Sequence, residues 1–366
     1  MKQYNVIGIM SGTSMDGVDL AYVEFTEDNG KWSYILKHAD TVDYEEMWRV
    51  RLSKLNRQEG TIIAKTNVFY GKYLGHLVAD FVVKYHINPH FVSSHGHTLY
   101  HAPAEGYTLQ IGDGATITAN CGLPVISDFR QGDVALGGQG APLVPIGDML
   151  LFSEYQYCLN LGGIANISGQ HNGTTIAYDV CPCNIAFNRI ARNNGLLYDT
   201  GGQIAAAGQV NEDLLNVLNS VDYYKNPGPK SLGREWINND FWHLTKEFNL
   251  SSEDKMCTLV EHVAIQISKA LYEMVDGEEE KLASQKVLVT GGGAFNHYLM
   301  ERLKAQTSAQ IIIPDEQTIN YKEALIFAFL GVLRFRNENN ILSSVTGAMS
   351  DSCGGAMWGK FPMVIG

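Results

Sequence analysis

Gly8-Ile9-Met10-Ser11-Gly12-Thr13-Ser14-Met15-Asp16-Gly17-Val18-Asp19 joins two runs rich in β-forming residues, 4–10 and 18–25. Glycines and short hydroxyl side chains let a chain reverse and turn several backbone N–H groups toward one point. A third strand-like run, 32–42, follows the turn Asp28-Asn29-Gly30, so the chain opens as an antiparallel meander. Next comes an amphipathic helix over 66–85, with Phe69, Tyr70, Tyr73, Leu74, Leu77, Val78, Phe81 and Val82 at spacings of three and four. Short strands are expected at 91–94 and 124–129. The same grammar starts again at 157: strands 157–161, 165–168 and 174–180 around Gly-rich turns, then a helix 183–193. A loop over 223–234, a helix 256–275 with a solvated tail 278–280, a strand 287–290, a helix 296–303, a strand 311–313 and an apolar helix 323–335 complete the chain. Two similar halves with a crevice between them is the expected architecture, and one large mixed sheet is the alternative.

The chain has 366 residues, enough for two domains. Its formal charge of −12 argues against sequence-independent nucleic-acid binding, which depends on neutralising phosphates. Small anions are not excluded, because backbone N–H groups can bind them locally. Six cysteines without a Cys-x-x-Cys pair suggest neither a disulfide scaffold nor a zinc ribbon. The longest apolar run, 324–333, falls short of the roughly 20 residues that span a bilayer, so a cytoplasmic protein is expected, with no membrane partner. Glycine is enriched, 37 of 366, and is concentrated in a few clusters that matter for chemistry.

The first cluster, 8–19, suits a phosphate, with Asp16 and Asp19 able to hold magnesium through water; a polar hairpin is the plainer reading. The second, Asn160-Leu161-Gly162-Gly163-Ile164-Ala165-Asn166-Ile167-Ser168, has the same place in the second half. The third, Thr290-Gly291-Gly292-Gly293-Ala294-Phe295-Asn296, lies between a strand and a helix, where bare backbone suits a nucleotide. No Gly-x-Gly-x-x-Gly follows a strand, and the P-loop-like Gly354-x-x-x-x-Gly359-Lys360 is followed by Phe361 with too little chain for a helix. His95, His97 and His101 fit hydrogen bonding to a polar ligand, or a structural role, better than a metal site. Cys181-Pro182-Cys183 reads as a tight turn, since redox pairs are separated by two residues. Asp179, at a strand end, projects toward the expected crevice or caps the next helix.

Together these clusters resemble the anhydro-N-acetylmuramic acid kinase family, of the sugar kinase/Hsp70/actin fold. The resemblance spans nearly the whole chain. Its most specific element is the 8–19 signature. Ser94-His95-Gly96, Ser127-Asp128-Phe129-Arg130, Gly137-Gly138-Gln139-Gly140-Ala141-Pro142-Leu143-Val144-Pro145, the 160–168 turn and 291–296 match in order. The family implies an α/β, two-domain actin-like ATPase (RNase H-like) fold with mixed sheets and a central cleft. On this chain the domains would be 1–126 plus about 345–366, and 127–344. It also implies an ATP- and magnesium-dependent enzyme that opens 1,6-anhydro-N-acetylmuramic acid with water and phosphorylates O6, in cell-wall recycling. A homodimer is one expectation for its assembly.

By match to the family motifs, Asp179 is the base. Gly12, Thr13, Ser14, Met15, Asp16, Gly17, Val18 and Asp19 grip the phosphates. Asn160, Gly162, Gly163 and Asn166 form the second phosphate turn, and Gly291, Gly292, Gly293 and Asn296 lie by the adenosine. His95, His97, Asp128, Arg130, Asn184 and Glu323 contact the sugar, with Arg130 suited to the lactyl carboxylate. Glu323, at the opening of the 323–335 helix, also reads as an acid favoured by the helix dipole. Two departures bear on the substrate. The family's Asp-Thr-Gly-Pro-Gly-Asn is Asp179-Val180-Cys181-Pro182-Cys183-Asn184 here, and its Ser-His-Gly-Gln-Thr is Ser94-His95-Gly96-His97-Thr98. Cysteine would strain a turn that needs positive φ. A kinase of another amino sugar on the same fold is therefore the nearest rival. A non-catalytic nucleotide-dependent binding protein and an actin-like filament protein are the rivals from other classes.

Overall fold

A computed structural model describes residues 1–12, 15–228 and 230–362, without the side chain of Arg234. The chain divides into two compact units, Met1–Phe152 with Tyr321–Gly366, and Ser153–Asn320. These bounds differ from the expected breaks near 126 and 344. The reason is packing: Gly147 lies against Ile326, and the rings of Tyr34 and Phe152 meet at 5.5 Å.

The first unit holds β1 (Lys2–Ser11), β2 (Gly17–Asp28), β3 (Lys31–Asp43), β4 (Phe91–Ala102), β5 (Tyr107–Ile111) and β6 (Val125–Ser127), with a C-terminal strand, Ala356–Trp358. The second holds β7 (Tyr157–Leu161), β8 (Ile164–His171), β9 (Thr174–Pro182), β10 (Lys286–Thr290) and β11 (Gln310–Ile312). Each sheet runs third–second–first–fourth–last: β3-β2-β1-β4-β6 and β9-β8-β7-β10-β11. In each, the first three strands are antiparallel and the last two return parallel to the first. Parallel returns require crossovers, which the helices between the strands provide. This repeated topology is that of the actin-like class, an α/β fold with mixed sheets.

The helix Gly60–Tyr85 starts a turn and a half before its expected position and stops at His86, whose φ of 51° breaks it. It buries Tyr70, Leu74, Val78 and Phe81 against the first sheet, about 1.5–3 kcal/mol for each such side chain. In the second unit the helix Ser252–Met274 does the same with Met256, Leu259, Val260, Val263, Ile267 and Leu271. β4 continues through His95-Gly96-His97, because β5, absent from the sequence reading, pairs with its second half. The expected solvated tail at 278–280 leads into a short helix, Glu279–Ala283. Among the described residues no helix is long and apolar enough to cross a membrane.

Candidate active site

In the first unit, Gly12 follows β1, and Met15, with φ 61°, donates its N–H to the Gly12 carbonyl at 3.4 Å. Thr13 and Ser14, expected phosphate contacts, lie outside the described residues. Gly17 is required sterically: a Cβ there would stand 2.5 Å from the Val42 carbonyl oxygen. The Val18 side chain is fully buried in the core, which leaves only its backbone for a ligand. Asp16 is exposed and Asp19 half-buried, with Thr41 donating its hydroxyl to Asp19 Oδ1 at 2.7 Å. Burial raises the Asp19 carboxyl, the Thr41 bond opposes this, and the Asp16 charge adds to the rise. Two neighbouring carboxylates suit the water shell of a magnesium ion held chiefly by phosphates.

Arg130 and His95 are bonded directly. The guanidinium Nε and Nη2 lie 3.2 and 2.8 Å from His95 Nε2, and Nη1 donates to the Gly140 carbonyl at 2.6 Å. An arginine only donates, so His95 Nε2 accepts and the proton sits on Nδ1, which donates to the Gly96 carbonyl at 2.8 Å. Burial and the Arg130 charge push His95 down to about 3. Asp133 completes this corner: buried, it accepts the Gly140 N–H and the Thr346 hydroxyl, both at 2.7 Å. Gly140 is thus fixed through its carbonyl by Arg130 and through its N–H by Asp133. Asp128 is exposed at φ 60°, a conformation a non-glycine residue keeps only where the surroundings enforce it. Its side chain still reaches solvent, but the protein packed around it removes enough hydration to raise its carboxyl, against a bond from the Gln131 backbone.

His97 faces inward. Its Nδ1 is 3.1 Å from Ser11 Oγ, which is 2.6 Å from the Tyr44 hydroxyl, itself bonded to Tyr70. Burial brings His97 down to about 4. His101 pairs with Thr108, and no group of three or more His, Cys, Asp or Glu residues among those described is arranged to hold a metal. Glu323 does not open its helix. The helix is Glu316–Phe335, so the dipole explanation for this acid fails. Glu323 keeps solvent contact yet stands among enough protein to lose hydration, which raises its carboxyl; Arg130 and Lys322 pull it down.

In the second unit, Asn160, Asn166 and Asp179 are direct partners across β7, β8 and β9, so their side chains share one face. β9 is an edge strand, and its register slips between Asn166, opposite Asp179, and Ala165, opposite Cys181. Asp179 is half-buried and does not cap the next helix. Its Oδ2 accepts the Leu232 N–H at 2.9 Å; no described residue donates to Oδ1. Burial raises its carboxyl, and the Leu232 bond opposes.

The glycine turns lie around this row. The carbonyls of Gly162 and Gly163 accept the N–H groups of Asn184, Cys183 and Ile185 at 2.9–3.2 Å. Neither glycine is crowded by its own protein: a Cβ at Gly163 would meet nothing closer than 3.9 Å. Gly291, at φ 81°, is crowded, with Asn160 Oδ1 2.5 Å from a Cβ position. Gly292 has only Asn184 near it, at 3.7 Å. Two expected contacts are spent internally: Asn184 Nδ2 donates to the Leu161 carbonyl at 2.8 Å, and Asn296 Oδ1 caps the helix His297–Gln306 through the Leu299 N–H at 2.9 Å.

Cys181 and Cys183 need no positive φ, and both lie buried in the core; Cys183, at φ −126° and ψ −108°, stands just before the helix Asn184–Asn193. Burial raises Cys183 to about 12 and Cys181 well up too, so neither is a poised thiolate. Sequence reasoning missed Asp133, Tyr44 and the Leu232 N–H. Nothing local distinguished the first two, and Leu232 lies in a stretch read only as a loop.

Repeated 3-2-1-4-5 sheets, with acids and glycine turns at matching strand ends, define a protein of the actin-like ATPase class. The sequence profile of the anhydro-N-acetylmuramic acid kinase family matches residues 4–360. The chain is 37% identical to the anhydro-N-acetylmuramic acid kinase of Photobacterium profundum, over 96% of this chain and 98% of that one. It is 36% identical to that of Pasteurella multocida, over 97% and 96%. The chain belongs to the anhydro-N-acetylmuramic acid kinase family. Among solved structures, the activator of 2-hydroxyisocaproyl-CoA dehydratase from Clostridium difficile with bound ADPNP aligns over 91% of this chain and 97% of its own, at a TM-score of 0.42 and 14% identity. So distant a likeness carries no argument of its own.

Proposed function

We propose that the protein is an ATP-dependent kinase that opens 1,6-anhydro-N-acetylmuramic acid with water and phosphorylates the released O6, giving N-acetylmuramic acid 6-phosphate. The observation that carries this reading is the state of Asp179: one carboxylate oxygen held by a backbone N–H, the other without a described donor, in a half-buried place that raises its proton affinity. A general base needs such an oxygen and a pKa drawn toward the working pH.

The proposed chemistry balances. Water adds its oxygen to C1 while Asp179 takes its proton, the C1–O6 bond breaks, and O6 attacks the γ-phosphorus of ATP, releasing ADP. Residues 12–19, with Gly162, Gly163 and Gly291–293, are the proposed phosphate and nucleotide contacts. Asn160 and Asn166 stand beside the base, and Asn184 and Asn296 hold the turns rather than the ligand. Bound with the nucleotide, magnesium would neutralise triphosphate charge, and Asp16 and Asp19 are the carboxylates that would hold its water shell. Arg130, oriented by His95, is the proposed partner of the lactyl carboxylate, with Asp128 and Glu323 as sugar contacts. A cytoplasmic site of action follows from the use of ATP. Neither Cys181 nor Cys183 sits at positive φ, and His97 bonds inward, which supports the anhydro sugar over a different one.

The test is product mass spectrometry in ¹⁸O water with ATP, magnesium and the anhydro sugar. One solvent oxygen in a 6-phosphorylated product, lost in Asp179→Asn, is the expected result. A phosphorylated product without solvent oxygen would overturn the ring-opening step.

A further inference from the structure

The bonds that hold Asp179 come from one segment outside the sheet. Its N–H donates to the Lys230 carbonyl at 3.0 Å, its carbonyl accepts the Tyr223 hydroxyl at 2.5 Å, and its Oδ2 accepts the Leu232 N–H at 2.9 Å. An edge strand leaves outward backbone groups without partners, and these must be satisfied elsewhere. Tyr223, Lys230 and Leu232 supply them at Asp179, beside the register slip of β9.

This segment is itself braced. Lys230 Nζ donates to the Tyr223 carbonyl at 3.1 Å and the Asn226 carbonyl at 2.7 Å, and lies 4.7 Å from the Tyr223 ring centroid. A Cβ at Gly228 would come within 2.6 Å of the Tyr178 ring, so the strap presses on the residue just before Asp179. Tyr224 ties it to the helix Ser252–Met274 by bonding His262 Nε2 at 3.0 Å. His262 Nδ1 lies 2.7 Å from Asn219 Oδ1, which also accepts from Gln266 Nε2. A carbonyl oxygen only accepts, so the His262 proton sits on Nδ1 and Tyr224 donates to Nε2.

We propose that residues 222–228 and 230–232 form a positioning strap for Asp179, in which Tyr223 and Lys230 keep the Leu232 N–H on Oδ2 and leave Oδ1 to the reaction. The proposal rests on the reading of Asp179 as the base. The titratable and charged groups around Asp179 are Tyr223 and Lys230 from the strap and Tyr178 and Cys181 from β9, with Glu273 of the helix Ser252–Met274 acting on Tyr178 and Lys230. β8 offers the neutral Asn166. A bond to the charged carboxylate lowers its pKa, so a slack strap lets that pKa rise.

The experiment compares wild type, Tyr223→Phe, Gly228→Ala and Asp179→Asn for kcat, KM for ATP and the pH profile of kcat/KM for the anhydro sugar, with melting temperature as the folding control. Small misplacements of a reacting group cost up to about a hundredfold. Tyr223→Phe and Gly228→Ala are expected to lose about tenfold or more in kcat, keep KM for ATP within about twofold, and move the acid limb to higher pH. Folded variants with unchanged kcat and an unchanged acid limb, beside an inactive Asp179→Asn, would overturn the strap alone. An active Asp179→Asn would overturn the base and the strap together. If the strap variants melt early, the pKa of Asp179, read by carboxyl NMR in folded Lys230→Met, decides: an unshifted value sinks the proposal.

Discussion

At the turn end of the first sheet, Met10, Asp19 and Thr41 stand opposite one another on β1, β2 and β3; in the second, Asn160, Asn166 and Asp179 occupy the corresponding strands. The acid lies on the middle strand in one row and on the edge strand in the other. Asp19 takes its hydrogen bond from Thr41 on the adjoining strand, so the sheet itself sets its environment. Asp179 takes its bonds from residues outside the sheet. The turns differ as well. The pairing of β1 with β2 ends at Met10 and Asp19, with eight residues between them, whereas Leu161 and Ala165 are already paired around Gly162 and Gly163. One topology thus carries a mid-sheet acid beside Asp16, proposed for a metal–phosphate group, and an edge acid whose surroundings the proposed strap adjusts.

The largest expected effect separates the two acids by what they damage. Asp179→Asn should cost about 10²–10⁴ in kcat, the range of general-base catalysis, with nucleotide binding retained. Asp19→Asn should act on the magnesium requirement and on KM for ATP, with solvent oxygen still entering the product. Steady-state kinetics at varied magnesium checks both. If Asp19→Asn lost ring opening and kept its affinity for ATP, the division of roles between the sheets would be reversed.

A smaller effect sharpens the contrast between structural and available glycines. A Cβ at Gly8 would sit 1.9 Å from the carbonyl oxygen of Ala324, where β1 meets the helix Glu316–Phe335. Gly8→Ala should therefore destabilise by about 1–3 kcal/mol or more, as overpacking does. Gly163→Ala meets no such obstacle and should leave the melting temperature unchanged while raising KM for ATP. Denaturant melts and ATP titrations of both variants measure this. A stable Gly8→Ala, or an unstable Gly163→Ala, would break the distinction.

Much of the fold could be read directly because strands and turns are local. The run 157–161 matches β7 residue for residue, and 32–42 falls within β3. β5 was not legible, since its existence depends on pairing with the far half of β4. The helix of Glu323 was cut short because its first turns carry the polar residues Glu316, Gln317, Thr318 and Asn320, which blur an apolar period. At the site, acids and glycine clusters could be found by type and position. What holds them could not, because the Tyr223, Lys230 and Leu232 contacts with Asp179 span 44 to 53 residues of chain. Val18 shows what a motif match leaves out: the alternation of β2 sends its side chain to the core, so only its backbone can face a phosphate.

The last contrast concerns pH, and its sign follows from which state binds protons. His95 and His97 in the first unit are held down to about 3 and about 4, and His262 in the second to about 3, each chiefly by burial. In the unfolded chain the same rings titrate near ~6.5. As pH falls below that value, the unfolded state gains protons that the folded state refuses, so stability present above ~6.5 is lost on the way down to the folded values. The raised carboxyls of Asp19, Asp128, Asp179 and Glu323 act in the other direction, because the folded state binds their protons more readily. Their gain sets in at the raised folded values and offsets part of the loss; the buried histidine rings are expected to outweigh it between about pH 6.5 and 5. Thermal melts should accordingly show a lower melting temperature at pH 5 than at pH 7. His97→Gln, which removes one of these lowered rings, should shrink that difference. An equal melting temperature at the two pH values, left unchanged by His97→Gln, would mean that burial does not hold these rings neutral.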